Sequence, residues 1–285
     1  MKKILIPTDF SAPSLKAFRF AVQQTIGTPT ELVLMHHTSI LELAPDSAFT
    51  GLYVPPPLDQ VAFVRTELEK FMKKGLSSFK DKTKLPKITP EVIPGIGTVE
   101  TILETQKRTK SEAIIMGTTG ASGVKRLFIG SVAAKVLELS KVPVMVIPES
   151  FRLKPIKKIG YASDLSHVSQ DLEQIKPFSE LMHSRIEMFH VEPMFPASEA
   201  YLKFKADKEI PALRAKNGFA NLEYKLVRTR FDNDFFAGIE TYRRNQKPDM
   251  LAVVTHKRNW LGKILNPSQS KGLAYHTKIP VLAIK

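Results

Sequence analysis

The sequence predicts an α/β protein made of two tandem, doubly wound domains, each with a parallel sheet. The chain repeats itself: residues 2–11 read KKILIPTDFS and residues 157–166 read KKIGYASDLS, with five of ten positions identical. The repeats also end alike, in KVPVMVI at 141–147 and KIPVLAI at 278–284. Within each repeat strand patterns alternate with helix patterns, which is typical of a parallel sheet covered by helices on both faces. The length of 285 residues suits two domains.

The first repeat alternates five strand patterns with four helix patterns. Short apolar runs predict buried strands, and apolar residues at helical spacing, such as Val61, Val64 and Leu68, predict helices. We expect Thr98 to be the N-cap of the third helix. The expected strands are 3–8, 31–38, 88–94, 113–117 and 144–147, and the expected helices are 13–24, 59–82, 99–107 and 131–139.

The second repeat shows the same order but is shorter. Its strand patterns lie around residue 159 and at 186–191, 224–227, 250–254 and 281–284. The offset between equivalent residues falls from 155 at the start to 137 at the end, so the first repeat is 18 residues longer. We place this surplus in a loop at 43–60, which is rich in proline. The expected domains are residues 1–150 and 156–285.

The charge balance is strongly basic, with 42 Lys and Arg against 28 Asp and Glu and a net charge of +14. A basic surface and a polyanionic partner both remain open on this ground. The excess is spread over the chain, at +5 in residues 1–150 and +9 in residues 151–285. Because nucleic-acid-binding proteins concentrate their charge, the sequence does not favour nucleic acid as the partner.

The sequence indicates a cytoplasmic protein with no membrane contact. It contains no cysteine, which suits a reducing compartment. The apolar run near the N-terminus ends at Thr8 and Asp9, which is too short for the core of a signal peptide. The longest apolar runs, such as residues 142–148, are also too short to cross a bilayer.

The sharpest local motif is a glycine-rich loop after the fourth strand pattern, MGTTGASGVKRLFIGSV at 116–132. Glycines let the backbone approach a ligand closely, and amides at the start of the following helix can donate to phosphate oxygens. Lys125 and Arg126 would add positive charge, and Ser131 would either cap the helix or donate to a phosphate. The alternative is a tight turn without a ligand. The motif is neither a P-loop nor a dinucleotide-binding fingerprint.

This motif resembles the signature of the universal stress protein family, Gly-x2-Gly-x9-Gly-Ser/Thr, which here is Gly117-x2-Gly120-x9-Gly130-Ser131. Residues 7–11, PTDFS, also resemble the end of that family's first strand, where an Asp contacts adenine. The closing run PVMVI at 143–147 is similar to the family's dimer-forming strand. The resemblance covers the whole chain as a tandem pair.

The resemblance implies a fold of the adenine-nucleotide α hydrolase type, with the two domains packed as an intramolecular pseudo-dimer or also as a further homodimer. It implies ATP as the ligand, with ADP or AMP as alternatives and a cation such as magnesium in some members. It implies a role in stress response or signalling with a protein partner that the sequence does not identify. Together with Lys125 and Arg126 from the charge of the loop, the predicted cofactor-binding residues are Pro7, Thr8, Asp9, His37, Met116, Gly117, Thr119, Gly120, Gly130, Ser131 and Val132.

Two of these residues depart from the family pattern. Thr119 stands where a histidine or arginine is common, and His37 stands where an apolar residue often packs against adenine. The second repeat departs further, because the three signature glycines are replaced by Val254, Lys257 and Pro267. We therefore expect the second repeat to be a structural partner. A scaffold that has kept the fold without using a nucleotide is the alternative function.

No catalytic residues and no metal ligands emerge from the sequence. It has no nucleophile elbow, no zinc spacing and no pair of carboxylates placed by a motif. The adjacent His36 and His37 project to opposite faces of a strand and so cannot readily share one metal ion. We expect a binding protein rather than an enzyme, with at most slow hydrolysis of ATP.

Residues 1–150 on their own are expected to self-associate. The last strand patterns of the two repeats are apolar, and natural proteins cover such an edge. In the whole chain we expect these two strands to lie antiparallel beside each other across a pseudo-twofold axis. Sedimentation velocity of the isolated fragment should then show dimers or aggregates. A fragment that stays monomeric at high concentration would contradict this pairing.

Overall fold

The computed structural model describes residues 1–39, 58–118, 130–193, 204–219, 222–229, 235–254 and 278–285. Contacts divide the chain into Met1–Ser150 and Phe151–Lys285, named unit 1 and unit 2 here. None of the helices in the described ranges combines the length and the apolar character needed to span a bilayer.

Unit 1 is a parallel sheet flanked by helices. Its strands are β1 (Lys3–Thr8), β2 (Glu31–Ser39), β3 (Ile88–Gly95), β4 (Ala113–Gly117) and β5 (Val144–Ile147). Its described helices are α1 (Ala12–Thr25), α2 (Leu58–Leu76), α3 (Thr98–Thr109) and α4 (Ser131–Leu139). The strand order is β3-β2-β1-β4-β5, and the neighbours run parallel. The predicted α/β fold is confirmed for this half of the chain.

The core of unit 1 lies on both faces of the central strands. Ile4, Leu5 and Ile6 of β1 are fully buried, and every residue of β4 is buried. Such continuous apolar strands are typical of a parallel sheet that helices cover on both sides. Helices α1 and α2 approach closely, because a Cβ added at Gly75 would lie 2.4 Å from the Phe18 ring.

Several predicted boundaries in unit 1 are wrong, most of them by one or two residues. Helix α2 begins at Leu58 and ends at Leu76 instead of residue 82. The Ser77 and Ser78 hydroxyls donate to main-chain carbonyls one turn back, and such bonds compete with the helical backbone pattern. Because α2 begins at Leu58, the last three residues of the loop expected at 43–60 belong to this helix. Residues 43–57 lie outside the described residues. The N-cap of α3 is Gly97, and Thr98 is the first helical residue.

Unit 2 repeats the architecture of unit 1. Its strands are β6 (Lys158–Ala162), β7 (Arg185–Pro193), β8 (Glu223–Thr229), β9 (Met250–Val254) and β10 (Val281–Ile284). Its described helices are α5 (Val168–Met182), α6 (Ala206–Asn217) and α7 (Phe235–Gln246). The strand order is β10-β9-β6-β7-β8, again with parallel neighbours.

The core of unit 2 contains two buried pairs in which a tyrosine is hydrogen-bonded to a carboxylate. The buried Tyr161 hydroxyl donates to Asp171 Oδ2 at 2.5 Å, and the Tyr242 hydroxyl donates to Glu187 Oε1 at 2.7 Å. Burial raises the pKa of both tyrosines, and the neighbouring carboxylates raise it further. The Phe189 ring stacks on Tyr242 with the ring centroids 3.7 Å apart. The two repeats thus share a fold but differ in the side chains that form their cores.

A carboxylate joins two strand starts in both units. Asp249, just before β9, accepts hydrogen bonds at 3.0 Å from the Lys157 and Lys158 amides, and Lys154 Nζ lies 2.5 Å from its Oδ1. In unit 1 the equivalent Glu112 accepts from the Lys2 amide at 2.9 Å. Burial raises the pKa of Asp249, but these hydrogen bonds outweigh burial and hold the pKa below its ordinary value.

We expect Asp249→Asn to lower the free energy of unfolding of the whole chain by about 1 kcal/mol at pH 7, because Lys154 is half exposed and water screens the pair. A lowered pKa in the folded state stabilises the protein above the unfolded-state pKa, and this contribution is lost as the pH falls through the folded-state pKa. On acidification from pH 7 to below about pH 4, the free energy of unfolding should therefore fall less for the variant than for wild type, as measured by urea titrations. Glu112→Gln is the matched control, with a smaller effect expected. Identical pH profiles for wild type and Asp249→Asn would refute this assignment.

Candidate functional site

A cavity of about 280 Å³ lies at the carboxyl ends of β1, β2 and β4 in unit 1. Its volume is near the lower end of the range for small-molecule sites, roughly 300–1,000 Å³. The strand order reverses between β1 and β4, and open parallel sheets bind ligands at such a switch point.

Nine of the thirteen predicted site residues line this cavity. They are Pro7, Thr8, Asp9, His37, Met116, Gly117, Gly130, Ser131 and Val132. The other four, Thr119, Gly120, Lys125 and Arg126, lie outside the described residues. The structure thus brings together segments that are more than a hundred residues apart in the sequence.

Six further lining residues were not predicted, and they are Ser14, Met35, Thr98, Ile102, Thr118 and Ala133. Two signals could have identified some of them. Helices α1 and α3 both begin just after strands that end at this edge. The spacing of four residues between Thr98 and Ile102 puts both side chains on one face of α3. Without the sheet order, however, nothing in the sequence says which helix face meets the site.

The rim of the cavity is formed by the turn after β1. The exposed Asp9 carboxylate accepts through Oδ1 from the Ser11 amide at 3.1 Å and from the Ser11 hydroxyl at 2.5 Å. Phe10 has a φ of 63°, which is uncommon for a bulky residue. Its amide donates to Thr8 Oγ1 at 3.0 Å, and its ring stacks on His36 with the centroids 4.1 Å apart. These contacts hold the strained turn that carries Asp9.

The two adjacent histidines have different surroundings. His36 Nδ1 lies 2.8 Å from the Thr8 carbonyl oxygen, and because that oxygen only accepts, Nδ1 carries the proton. His37 lines the cavity, with its ring against Gly95: a Cβ added there would lie 3.3 Å from His37 Cε1. Across the described parts of the chain, no group of three or more His, Asp or Glu residues could hold a metal ion.

The middle of the cavity is apolar. Met35, Ile102 and Met116 contribute buried side chains from β2, α3 and β4. Sulfur-containing and branched aliphatic side chains pack well against a flat ring system. This part of the cavity therefore suits a planar heterocycle.

The two signature glycines in the described residues, Gly117 and Gly130, do not have left-handed backbone conformations. Among the described glycines only Gly27 and Gly218 have positive φ, and Gly130 has a φ of −62°. Gly117 is needed for space, because a Cβ there would lie 2.8 Å from the Pro13 carbonyl carbon. Gly130 contributes its amide, which donates to the Thr118 carbonyl at 2.5 Å. At Gly117 the structure therefore shows a requirement for space and not for a left-handed backbone conformation.

The start of α4 forms the other end of the cavity. Gly130 is its N-cap and makes no side-chain cap bond, and Ala134 makes the first helical bond, to the Gly130 carbonyl at 2.9 Å. The preceding amides of Ser131, Val132 and Ala133 belong to residues that line the cavity. Such amides have no partner within a helix, and the helix dipole favours negative charge there. Ser131 is exposed and is the first helical residue after the Gly130 N-cap, so the predicted capping role of Ser131 is wrong.

Unit 2 keeps the turn of the unit 1 site. Leu165 has a φ of 65°, and its amide donates to Ser163 Oγ at 3.0 Å. Asp164 Oδ1 accepts from the Ser166 amide at 2.9 Å, and His190 Nδ1 lies 2.8 Å from the Ser163 carbonyl oxygen. These contacts reproduce those of Thr8, Asp9 and His36 in unit 1 at the equivalent positions.

The residues equivalent to the cavity wall are larger in unit 2. Phe189 in β7 is at the position equivalent to Met35, and Phe235 at the start of α7 is at the position equivalent to Thr98. Val254 at the end of β9 stands for Gly117. Helix α7 lies so close to β7 that a Cβ added at Gly238 would be 2.2 Å from Val191 Cγ1. Side chains thus occupy positions in unit 2 that border open space in unit 1.

The family model described as "Universal stress protein family" matches residues 1–148 and, a second time, residues 155–285. The chain belongs to this family. The resemblance drawn from the glycine motif and the Asp9 turn is therefore confirmed, as is the tandem organisation of two universal stress protein domains.

Relatives of the protein agree with this membership. A universal stress protein of Methanocaldococcus jannaschii is 32% identical over 151 residues, which are 51% of this chain and 81% of the relative. The universal stress protein YxiE of Bacillus subtilis is 31% identical over 147 residues, or 51% of this chain and 97% of the relative. A solved universal stress protein from Archaeoglobus fulgidus shares the fold with a TM-score of 0.65 and 19% identity, covering 99% of this chain and 96% of that chain.

Gly117→Ala should destabilise this universal stress protein by about 1–3 kcal/mol, because the new methyl group meets the main chain of Pro13 in α1. Urea unfolding of the full chain measures the loss. Gly97→Ala is the control: its Cβ would meet only the flexible Glu100 side chain, and because alanine is a poorer N-cap than glycine it should cost up to about 1 kcal/mol. Equal free energies of unfolding for the two variants would show that the Pro13 main chain can move away at little cost. The contact with Pro13 would then not explain the glycine at position 117.

Proposed function

We propose that unit 1 binds one adenine nucleotide of the ATP class and that the protein acts in stress response or signalling through this binding. One observation carries the proposal. A single cavity joins a carboxylate at the rim, an apolar middle and the amino end of a helix. These three parts correspond in order to the amino group, the ring and the phosphates of an adenine nucleotide.

The Asp9 end of the cavity suits the base. The 6-amino group of adenine is a donor, and an ionised carboxylate only accepts. Met35, Ile102 and Met116 offer apolar contact area to the ring, with the His37 ring beside them. A bound base would replace water on these side chains, which contributes to affinity roughly in proportion to the apolar area removed from water.

The α4 end suits the phosphates. The amides of Ser131, Val132 and Ala133 and the helix dipole favour an anion, and the first turn of α4 carries no acidic residue to oppose it. The Ser131 hydroxyl is a further donor. ADP and AMP would use the same base contacts with fewer phosphate oxygens, so we expect ATP to bind most tightly.

The proposed role is binding rather than rapid catalysis. Fast phosphoryl transfer needs charge stabilisation on the moving phosphate and a positioned nucleophile, usually with a metal clamp. At the α4 end the described lining residues are Gly117, Thr118 and 130–133. Their side chains include no carboxylate or imidazole that would orient an attacking water.

We expect one nucleotide per chain, bound by unit 1. Native mass spectrometry of freshly purified protein should show a co-purified adenine nucleotide, and calorimetric titration should give a stoichiometry near one. Asp9→Asn should weaken ATP binding about tenfold, the cost of roughly one charge-assisted hydrogen bond. Asp164→Asn, the equivalent change in unit 2, is the matched control and should leave the affinity unchanged.

Three results would contradict this proposal. Two equivalent sites per chain would show that unit 2 binds as well. Full affinity in a Gly130→Pro variant, which lacks the amide that donates to Thr118, would show that the loop geometry is irrelevant. No nucleotide in the purified protein and no ATP binding at millimolar concentration would favour the scaffold function instead.

Hydrolysis of bound ATP should be far slower than the roughly 1 per second at the low end of ordinary enzymes. Single-turnover assays with labelled ATP measure the rate. A variant with both Gly117 and Gly130 replaced by valine serves as the control for a contaminating ATPase. Turnover near 1 per second that the control variant abolishes would show that the protein is an enzyme.

A further inference from the structure

We propose that Ser11 is the positioning residue of the unit 1 site. Its hydroxyl and amide hold the Asp9 carboxylate at the cavity rim, while its Oγ also caps α1. Through Asp9, Ser11 sets the preference for a base that carries an amino group. This inference rests on the proposed nucleotide binding and deepens it by naming the residue that controls selection of the base.

The directions of the hydrogen bonds follow from the chemistry of the groups. The Ser14 amide donates to Ser11 Oγ at 3.3 Å, which is the N-cap bond of α1. The single hydroxyl proton of Ser11 goes to Asp9 Oδ1 at 2.5 Å, because a carboxylate cannot donate. The Ser11 amide donates to the same oxygen at 3.1 Å. One side chain therefore links the orientation of Asp9 to the start of α1.

A second chain of hydrogen bonds fixes the position of Ser11 itself. The Ser14 hydroxyl donates to the Ser11 carbonyl at 2.9 Å, so its oxygen accepts in the 2.9 Å contact with Thr8 Oγ1. Thr8 Oγ1 in turn accepts from the Phe10 amide at 3.0 Å. Thr8 and Ser14 are buried, so solvent competes little for these bonds. The turn from Thr8 to Ser14 thus has one consistent set of donors and acceptors.

The same turn of α1 also touches the start of the glycine loop. Pro13 lies against Gly117 by main-chain and Cβ packing, a contact that does not involve the Ser11 hydroxyl. Removing the hydroxyl therefore takes away the shorter of the two Ser11 bonds to Asp9, leaves the amide bond, and leaves the packing that holds Gly117. The effect should fall on recognition of the base and spare recognition of the phosphates.

Unit 2 shows that the fold does not require this double role. The amide of the equivalent serine, Ser166, donates to Asp164 Oδ1. The N-cap of α5, however, is the next residue, His167, and it makes no side-chain cap bond. In unit 1 the serine itself is the N-cap. The link between helix cap and carboxylate is therefore a feature of unit 1, which carries the candidate site.

The test uses the full chain and compares wild type with Ser11→Ala, Ser11→Gly, Ser11→Thr, Ser166→Ala, Asp9→Asn and the double variant Ser11→Gly/Asp9→Asn. Glycine is tolerated at an N-cap at a cost of a few tenths of a kcal/mol, so Ser11→Gly removes the hydroxyl with little loss of helix stability. Calorimetry gives the affinities for ATP, for inosine triphosphate, which has an oxygen in place of the 6-amino group, and for tripolyphosphate. Thermal unfolding checks that each variant is folded.

We expect Ser11→Ala and Ser11→Gly to weaken ATP binding about tenfold, equivalent to one charge-assisted hydrogen bond, and to reduce the preference for ATP over inosine triphosphate. Tripolyphosphate binding should stay within twofold of wild type. Ser11→Thr keeps a hydroxyl and should restore the preference, and Ser166→Ala should have no effect. In the Asp9→Asn background, Ser11→Gly should weaken ATP binding no further. The reason is that both changes act on the same contact, between the residue 9 side chain and the amino group of the base.

Each other outcome overturns a defined claim. Wild-type selectivity in Ser11→Gly, or additive effects in the double variant, would refute the positioning role while leaving nucleotide binding intact. Equal losses for ATP and tripolyphosphate would show that Ser11 acts only as a helix cap. Absence of ATP binding by wild type would refute the proposed function, and this inference with it.

Discussion

The position of β1 between β2 and β4 is the constraint on which the rest of unit 1 depends. Parallel pairing aligns Thr8 with His36 on one side, while on the other side β1 pairs with β4, which ends at Gly117. The connections from β1 and β4 leave the sheet in opposite directions, and this opens a crevice at the carboxyl ends. Each element of the candidate site, from the Asp9 turn to the start of α4, borders that crevice.

Close backbone contacts then convert the crevice into a cavity with a defined shape. Pro13 of α1 packs against Gly117, and the His37 ring packs against Gly95. The strained Phe10 turn is held by a stacked His36 and by a bond to Thr8. A backbone in a sparsely populated conformation persists only where its surroundings impose it. Here the surroundings are the two strands that also carry the cavity lining.

The two repeats show how one fold can keep its frame while changing its interior. Both units retain the turn after the first strand and the carboxylate that joins two strand starts. Unit 2 places larger side chains where unit 1 has open space and buries carboxylates bonded to Tyr161 and Tyr242. Because the main-chain bonds of the sheet do not depend on these side chains, the interior can diverge while the architecture persists.

The sequence by itself determined the architecture and, through its resemblance to the universal stress protein family, nine of the described lining residues. Alternating apolar runs and the internal repeat are local signals, and the Asp9 turn and the glycine motif are contiguous, so all of them can be read along the chain. Only the tertiary structure decided that Ser14, Thr98 and Ile102 line the same cavity, because that depends on which helix faces meet across the sheet. It also decided why Gly117 is a glycine. The reason is the proximity of Pro13, a contact between residues more than a hundred positions apart, and not a backbone angle.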